Sequence, residues 1–67
     1  MIDSKKLKGR IVEKGTTIQK LAPKTGYSAY TLGQMIGNKV KMPLEVCSIL
    51  VKELDIKNEE LISFFYN

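Results

Sequence analysis

The sequence predicts an all-α protein of five short helices, forming a single compact domain over residues 1–67. Apolar residues recur every three or four positions almost throughout, which is the period of a helix with one buried face. Valine, isoleucine and threonine are scattered and do not alternate with polar residues, so no strand is indicated. A chain of 67 residues has room for only one small core.

The first helix is predicted over residues 4–13, because Asp3 or Ser4 can cap its start and Gly15 suits its end. Helical spacing also assigns its two faces. The residues expected to face the core are Leu7, Ile11 and Val12. The residues expected on the outer face are Lys5, Lys6, Lys8 and Arg10.

A short second helix is predicted over residues 18–22, with Thr17 at its N-cap position. Pro23 has no backbone N–H to donate, so the helix is expected to end early there. Gly26 tolerates a positive φ and predicts a tight turn. The residues expected to face the core are Leu21 and Ala22.

The third helix is predicted over residues 29–36, because Ser28 can cap its start and the Gly37-Asn38 pair suits its end. Tyr27 is expected to fill the gap between the second and third helices. The residues expected to face the core are Leu32, Met35 and Ile36.

The fourth helix is predicted to have Pro43 at its first position and to run to about residue 54, and Asn58 can cap a fifth helix over residues 59–65. The core positions expected in the fourth helix are Cys47, Leu50, Val51 and Leu54. Further apolar positions lie outside that stripe, at Leu44, Val46 and Ile49. These residues and the apolar residues at the end of the chain could be buried in the core, or they could form a surface for a homodimer or another partner.

Charge is distributed unevenly along the chain, which has a net charge of +4. No aspartate or glutamate occurs between Lys14 and Leu44, whereas carboxylates outnumber lysines from Met42 onward. A long basic stretch of this kind is typical of a surface that meets phosphates. The basic residues within it are Lys14, Lys20, Lys24, Lys39 and Lys41.

The composition argues against an enzyme. Histidine is absent, Cys47 is the single cysteine, and no pair of carboxylates accompanies a glycine-rich loop, so no acid–base pair, nucleophile set or zinc site is indicated. No apolar run approaches the ~18 residues of a membrane span, and a lone cysteine suits a reducing compartment. We therefore expect no catalysis, no cofactor, no metal, no membrane partner and a location in the cytoplasm.

Residues 17–36 combine a short helix, a glycine turn and a second helix, which is the pattern of a helix-turn-helix unit. The chain resembles the Cro/repressor-type helix-turn-helix regulators, especially the short Cro-like proteins of temperate phages of Gram-positive bacteria. The residues that carry the resemblance are Leu21, Ala22, Gly26, Ser28, Thr31, Leu32 and the segment 37–39. The resemblance extends over nearly the whole chain, through Pro43 and the break at residues 54–56.

This resemblance implies a repressor of transcription that binds double-stranded operator DNA through its third helix, as a homodimer in the host cell. The residues implied to contact DNA are Thr17, Ser28, Ala29, Tyr30, Gln34, Asn38 and Lys39. Among these, Gln34 can pair with the edge of an adenine. Thr17, Asn38 and Lys39 are implied to lie near phosphates.

The sequence also departs from the family pattern. The third helix has no lysine or arginine, Ile18 stands where many relatives carry a glutamine, and Gly33 costs the helix roughly 1 kcal/mol relative to alanine. An uncharged helix of this kind also suits a protein surface. The alternative function is therefore that of an antirepressor or modulator, which binds the phage repressor protein and alters its hold on DNA.

Overall fold

The computed structural model describes residues 1–66, which form five α-helices and no strand. The helices are α1 (Ser4–Glu13), α2 (Ile18–Thr25), α3 (Ala29–Ile36), α4 (Leu44–Glu53) and α5 (Leu61–Phe65). A short 3-10 turn over Asn58–Glu60 leads directly into α5. Within this part of the chain, no helix has both the length and the apolar character that crossing a membrane requires.

The helix ends lie where local side chains and glycines place them. The Asp3 carboxylate accepts a hydrogen bond from the backbone N–H of Lys6 at 3.1 Å, which caps the start of α1. Gly15 and Gly26 follow α1 and α2 with φ of +69° and +81°. That left-handed backbone is unfavourable for residues with a Cβ, so the two glycines fix the turns on either side of α2 as predicted.

One apolar core draws on all five helices. The prediction of a core position is confirmed for nine residues, which are Leu7, Ile11, Leu21, Ala22, Leu32, Met35, Ile36, Leu50 and Leu54. The core contains four further residues that the helical spacing did not assign to it, namely Val46, Ile56, Phe64 and Phe65. Because the chain is small, these four additions determine how α4 and α5 are oriented against the rest.

Two expectations for apolar side chains were wrong. Val12 is 76% exposed, because the buried stripe of α1 runs through Leu7 and Ile11 and Val12 lies about 100° further around the helix. Tyr27 is 41% exposed and does not fill a gap between helices. Its backbone N–H donates to the Thr25 hydroxyl at 3.2 Å, which holds the residue in the outer part of the turn.

The expectation that Pro23 ends α2 early was also wrong, because α2 continues to Thr25. The proline removes a single bond, the one that its N–H would have donated to the carbonyl of Gln19. The turn beyond it is held by the Thr25 hydroxyl, which donates to the Ala22 carbonyl at 2.8 Å. Burial of Leu21 and Ala22 anchors the same part of the helix to the core.

The starts of the last two helices differ by a few residues from the predicted ones. Pro43 is the N-cap of α4 and not its first residue, with an extended ψ of 153°. Asn58 begins the 3-10 turn and does not cap α5. The backbone N–H of Lys57 donates to the Glu60 carboxylate at 2.9 Å, and this bond closes the turn instead.

The face of α4 that meets the core is rotated from the predicted one. Val46 and Leu50, one turn apart, are fully buried, whereas Cys47 and Val51 are half-buried and pack against the edge of the core. Burial raises the pKa of the Cys47 thiol above its ordinary value. Cys47 therefore behaves mainly as a small apolar residue, although one side of it faces a groove.

Arg10 connects α1 to the end of the chain, although it was predicted on the outer face. Its side chain is only 14% exposed, and its guanidinium donates to the carbonyls of Leu54 and Asp55 at 3.3 and 3.4 Å. The same group forms an ion pair with Glu60 and lies 5.0 Å from the centre of the Phe64 ring. These contacts supply hydrogen-bond donors to two carbonyls directly after α4, and they hold α5 in place.

This ion pair should make stability depend on pH. The hydrogen bond from Arg10, followed by that from the backbone of Lys57, lowers the pKa of Glu60 below its ordinary value. A carboxylate with a lowered pKa stabilises the fold above its unfolded pKa of about 4.3, and that contribution is lost as the pH falls through the lower, folded value. We expect the melting temperature of Glu60→Gln to be lower than that of the wild type at pH 7, and the difference to shrink below pH 4.

The matched control is Glu59→Gln, since Glu59 is exposed and makes no ion pair among the described residues. Its melting temperature should follow that of the wild type across the same pH range. Thermal melts by circular dichroism provide the measurement. Equal pH profiles for Glu60→Gln and the wild type would show that the Arg10 pair contributes nothing to stability.

Candidate nucleic-acid interface

Helices α2 and α3 are joined by a tight turn, and each begins with a hydroxyl cap. Thr17 Oγ1 accepts from the backbone N–H of Lys20 at 3.2 Å, and Ser28 Oγ accepts from that of Thr31 at 3.1 Å. The Ser28 hydroxyl also donates to Thr31 Oγ1 at 3.0 Å, so its proton is engaged within the helix. Within residues 1–66 the hydroxyl proton of Thr17 has no such acceptor, and it is available to donate to a ligand.

The outer face of α3 carries two of the predicted contact residues. Tyr30 is 76% exposed and Gln34 is half-buried, and the two lie one helical turn apart on the same face. Leu32 and Ile36 lie on the opposite side of α3 and are fully buried. The core therefore fixes the orientation of α3, while Tyr30 and Gln34 are directed outward.

A shallow apolar hollow lies between α1, α2 and the start of α3. Thr17, Ala29 and Tyr30 all line it, so the structure brings three of the predicted site residues together. Other residues of the lining were not predicted as site residues, and they include Lys8, Val12, Ile18 and Gln19. The sequence pattern contained no signal for this lining, because Val12 was itself expected to face the core.

Asn38 and Lys39 lie beyond the other end of α3, away from this hollow. Asn38 adopts a left-handed φ of +63°, and its side-chain amide forms hydrogen bonds with the backbone of Ile2. It accepts from the backbone N–H of Ile2 at 3.0 Å and donates to the Ile2 carbonyl at 2.8 Å. The backbone N–H of Lys39 donates to the carbonyl of Gln34 at 2.8 Å, while its side chain is exposed.

The positive charge around α3 is smaller than the sequence indicates. Lys24 lies 3.4 Å from a Glu53 carboxylate oxygen, and Lys14 lies 3.7 Å from one of Asp55. Two of the five lysines of the acid-free stretch are thus paired with acidic residues from the later part of the chain. The lysines of this stretch that are exposed and unpaired among residues 1–66 are Lys20, Lys39 and Lys41.

The arrangement offers hydrogen-bonding and cationic groups around a neutral, outward-facing helix. The amide of Gln34, the phenol of Tyr30 and the hydroxyl of Thr17 lie on or near α3, and exposed lysines precede and follow the helix. Such groups suit base edges and phosphates. Comparison with models of protein families, with curated proteins and with solved structures found no match to the chain.

Proposed function

We propose that this protein is a Cro-like transcriptional regulator of the phage type, which binds operator DNA through α3 of its helix-turn-helix. One observation carries the proposal. The buried face of α3 is anchored by Leu32 and Ile36, and its outer face presents Tyr30 and Gln34 one turn apart. A helix held in this way can enter a groove without losing its support from the core.

The dimensions of α3 support this proposal. An α-helix such as α3 has a diameter of about 10–12 Å with its side chains, which fits the major groove of B-DNA, about 12 Å wide. Gly33 has open space where a Cβ would stand, so it adds no side chain to the surface of α3 beside Tyr30. A small, smooth helix can approach the base edges closely.

Five of the seven predicted contact residues receive a role in this proposal. Gln34 reads a base edge, and Tyr30 contacts either a thymine methyl group or a phosphate. Thr17 and Lys39 contact phosphates on the two sides of the groove. The oxygen and one N–H of the Asn38 amide are bound to Ile2, so we assign Asn38 to positioning the loop that carries Lys39.

Two alanine variants test these roles. We expect Gln34→Ala to cost ~1–3 kcal/mol on a preferred duplex and to relax selectivity at one or two base pairs, because its amide reads a base edge. We expect Lys39→Ala to weaken binding to all duplexes alike and to reduce the salt slope by about one unit, because its contact is with phosphate. Selection from a random duplex library supplies the preferred sequence, and fluorescence anisotropy measures affinity.

The matched control is Lys52→Ala, which removes an exposed, unpaired lysine at the far end of α4. It should leave both the affinity and the salt slope close to those of the wild type. The assigned roles would be refuted if Gln34→Ala weakened binding to preferred and scrambled duplexes equally.

The apolar hollow supports a second candidate function, that of an antirepressor. Val12 and Tyr30 are each 76% exposed beside half-buried Ile18, and an apolar side chain of a protein fits there better than a phosphate does. In that case Tyr30→Ala should weaken binding to the phage repressor, and the isolated protein should bind DNA only weakly. Anisotropy titrations of duplex DNA with and without a candidate phage repressor protein separate the two functions.

A further inference from the structure

The hollow between α1, α2 and the start of α3 has an apolar lining and a strongly exposed edge. Ile11 is buried within the lining, and Ile18 and Ala29 are half-buried there. Val12 and Tyr30 form the edge, and no large apolar residue on a described helix is more exposed than these two. They belong to α1 and α3, so the fold brings them together. Exposed apolar surface gathered around a concave site is typical of an interaction surface.

The charges around this hollow are positive. Lys8 is the one charged residue of the described lining, and Lys5 lies one turn earlier on the same side of α1. Both lysines are exposed, and neither makes an ion pair within residues 1–66. Glu13 is the carboxylate of α1 that comes closest in sequence, but it is outside the lining and lies 3.5 Å from Arg10. An anionic ligand therefore meets lysines here and no opposing carboxylate.

The α2 side of the hollow adds hydrogen-bond donors. The hydroxyl proton of Thr17 is available, and the amide of the exposed Gln19 belongs to the same lining. A carboxylate or a backbone carbonyl of a ligand can accept from either group. Because the hollow is shallow, it cannot enclose the roughly 70–90% of a small molecule's surface that a ligand pocket buries. A helix laid across it needs contact on one face only.

We propose that this hollow binds an acidic amphipathic helix of a partner protein, which seats an apolar side chain between Val12 and Tyr30. The carboxylates of that helix lie against Lys5 and Lys8. The stretch of α1 from Lys5 to Val12 is about 10 Å long, which two turns of the partner helix span. An acidic and apolar helix matches both features of the surface, whereas a phosphate backbone leaves the apolar lining unfilled.

Occupation of the hollow excludes duplex DNA from α3, because the hollow is lined by Thr17 and Tyr30, two of the residues proposed to contact DNA. This exclusion rests on the proposed function, whereas binding of the helix does not. The contact is much smaller than the ~800 Å² per partner of a standard interface. We therefore expect an isolated peptide to bind with Kd on the order of 10–100 µM.

Two synthetic peptides and the full chain, without DNA, test the binding of an acidic helix. The acidic probe is a fluorescent peptide of about 15 residues, long enough to form a helix, with leucines on one face and glutamates on the other. The basic probe has lysines in place of the glutamates. We expect fluorescence anisotropy to show about tenfold or more tighter binding of the acidic probe, with an affinity that falls as salt increases.

Variants at exposed residues locate the binding. Val12→Asp should weaken binding of the acidic probe about tenfold or more, and Lys8→Glu should weaken it about tenfold while strengthening binding of the basic probe. The matched controls are Leu44→Asp and Lys52→Glu, which make the same changes at exposed residues of α4. Both controls should bind the acidic probe about as the wild type does. Circular dichroism establishes that all four variants are folded.

Competition tests the exclusion of DNA. The acidic probe should displace the selected duplex from the wild type but not from Val12→Asp. Equal binding of the two probes, a folded Val12→Asp that binds the acidic probe like the wild type, or simultaneous binding of probe and duplex would overturn the proposal. A wild type that binds the acidic probe but no duplex would refute the proposed function and leave the helix-binding site supported.

Discussion

Leu32→Asp is expected to leave the chain unfolded at 25 °C. Leu32 is fully buried in α3, and no polar side chain is buried with it in the described core to pair with a new carboxylate. A buried unpaired charge costs about 3–5 kcal/mol, and loss of a buried leucine side chain costs about 2–5 kcal/mol more. A domain of 67 residues has only ~3–10 kcal/mol of stability in total. Leu21→Asp, on the facing side of the α2–α3 unit, should have the same effect.

The control is Leu44→Asp, which makes the identical substitution at a residue that is 74% exposed. An aspartate in the first turn of α4 also interacts favourably with the helix dipole. We expect this variant to melt cooperatively within a few degrees of the wild type. A cooperative melt of Leu32→Asp near the wild-type midpoint, measured by circular dichroism, would show that α3 is oriented differently from the structure described here.

The parts of the fold that could be predicted are those determined by neighbouring residues. Thr17 and Ser28 cap helices through bonds to backbone N–H groups three positions later, and Gly26 allows a turn that other residues resist. These effects act within a few residues of sequence, so the pattern alone contains them. The core face of α3 could be predicted for the same reason, since three buried residues repeat at helical spacing.

The parts that could not be predicted depend on contacts between distant segments. Arg10 has the sequence context of a surface residue, yet its hydrogen bonds reach acceptors that lie 44 to 50 positions later in the chain. The rotation of α4, which buries Val46 and leaves Val51 at the edge, is decided by the fit of the whole helix against the others. Because α4 is apolar on more than one side, its own spacing allows either orientation.

The candidate site also divides into features that depend on neighbouring residues and features that depend on distant contacts. The exposure of Tyr30 and Gln34 follows from the period of α3, so their common face could be predicted. The amide of Asn38 is bound to Ile2, and Lys24 is paired with Glu53, through contacts across 36 and 29 positions. Charge counted along the sequence therefore overstates the cationic surface that a phosphate would meet.

The proposed function requires the isolated chain to bind duplex DNA specifically through the outer face of α3. A variant with Tyr30, Gln34 and Lys39 all replaced by alanine removes the proposed base and phosphate contacts together. We expect it to remain folded and to lose about 100-fold or more in affinity for the selected duplex. Each lost base-edge contact should cost ~1–3 kcal/mol, and each lost phosphate contact should cost less. The matched control replaces Lys52, Asn58 and Ile62 by alanine, three exposed residues on the α4–α5 side.

Fluorescence anisotropy of the selected duplex, titrated with the protein alone at several salt concentrations, measures this binding. We expect the wild type and the control variant to prefer the selected duplex over a scrambled one, with an affinity that falls steeply as salt increases. The triple-alanine variant should retain only the weak binding seen with the scrambled duplex. A folded triple variant that binds the selected duplex as tightly as the wild type does would refute binding through α3.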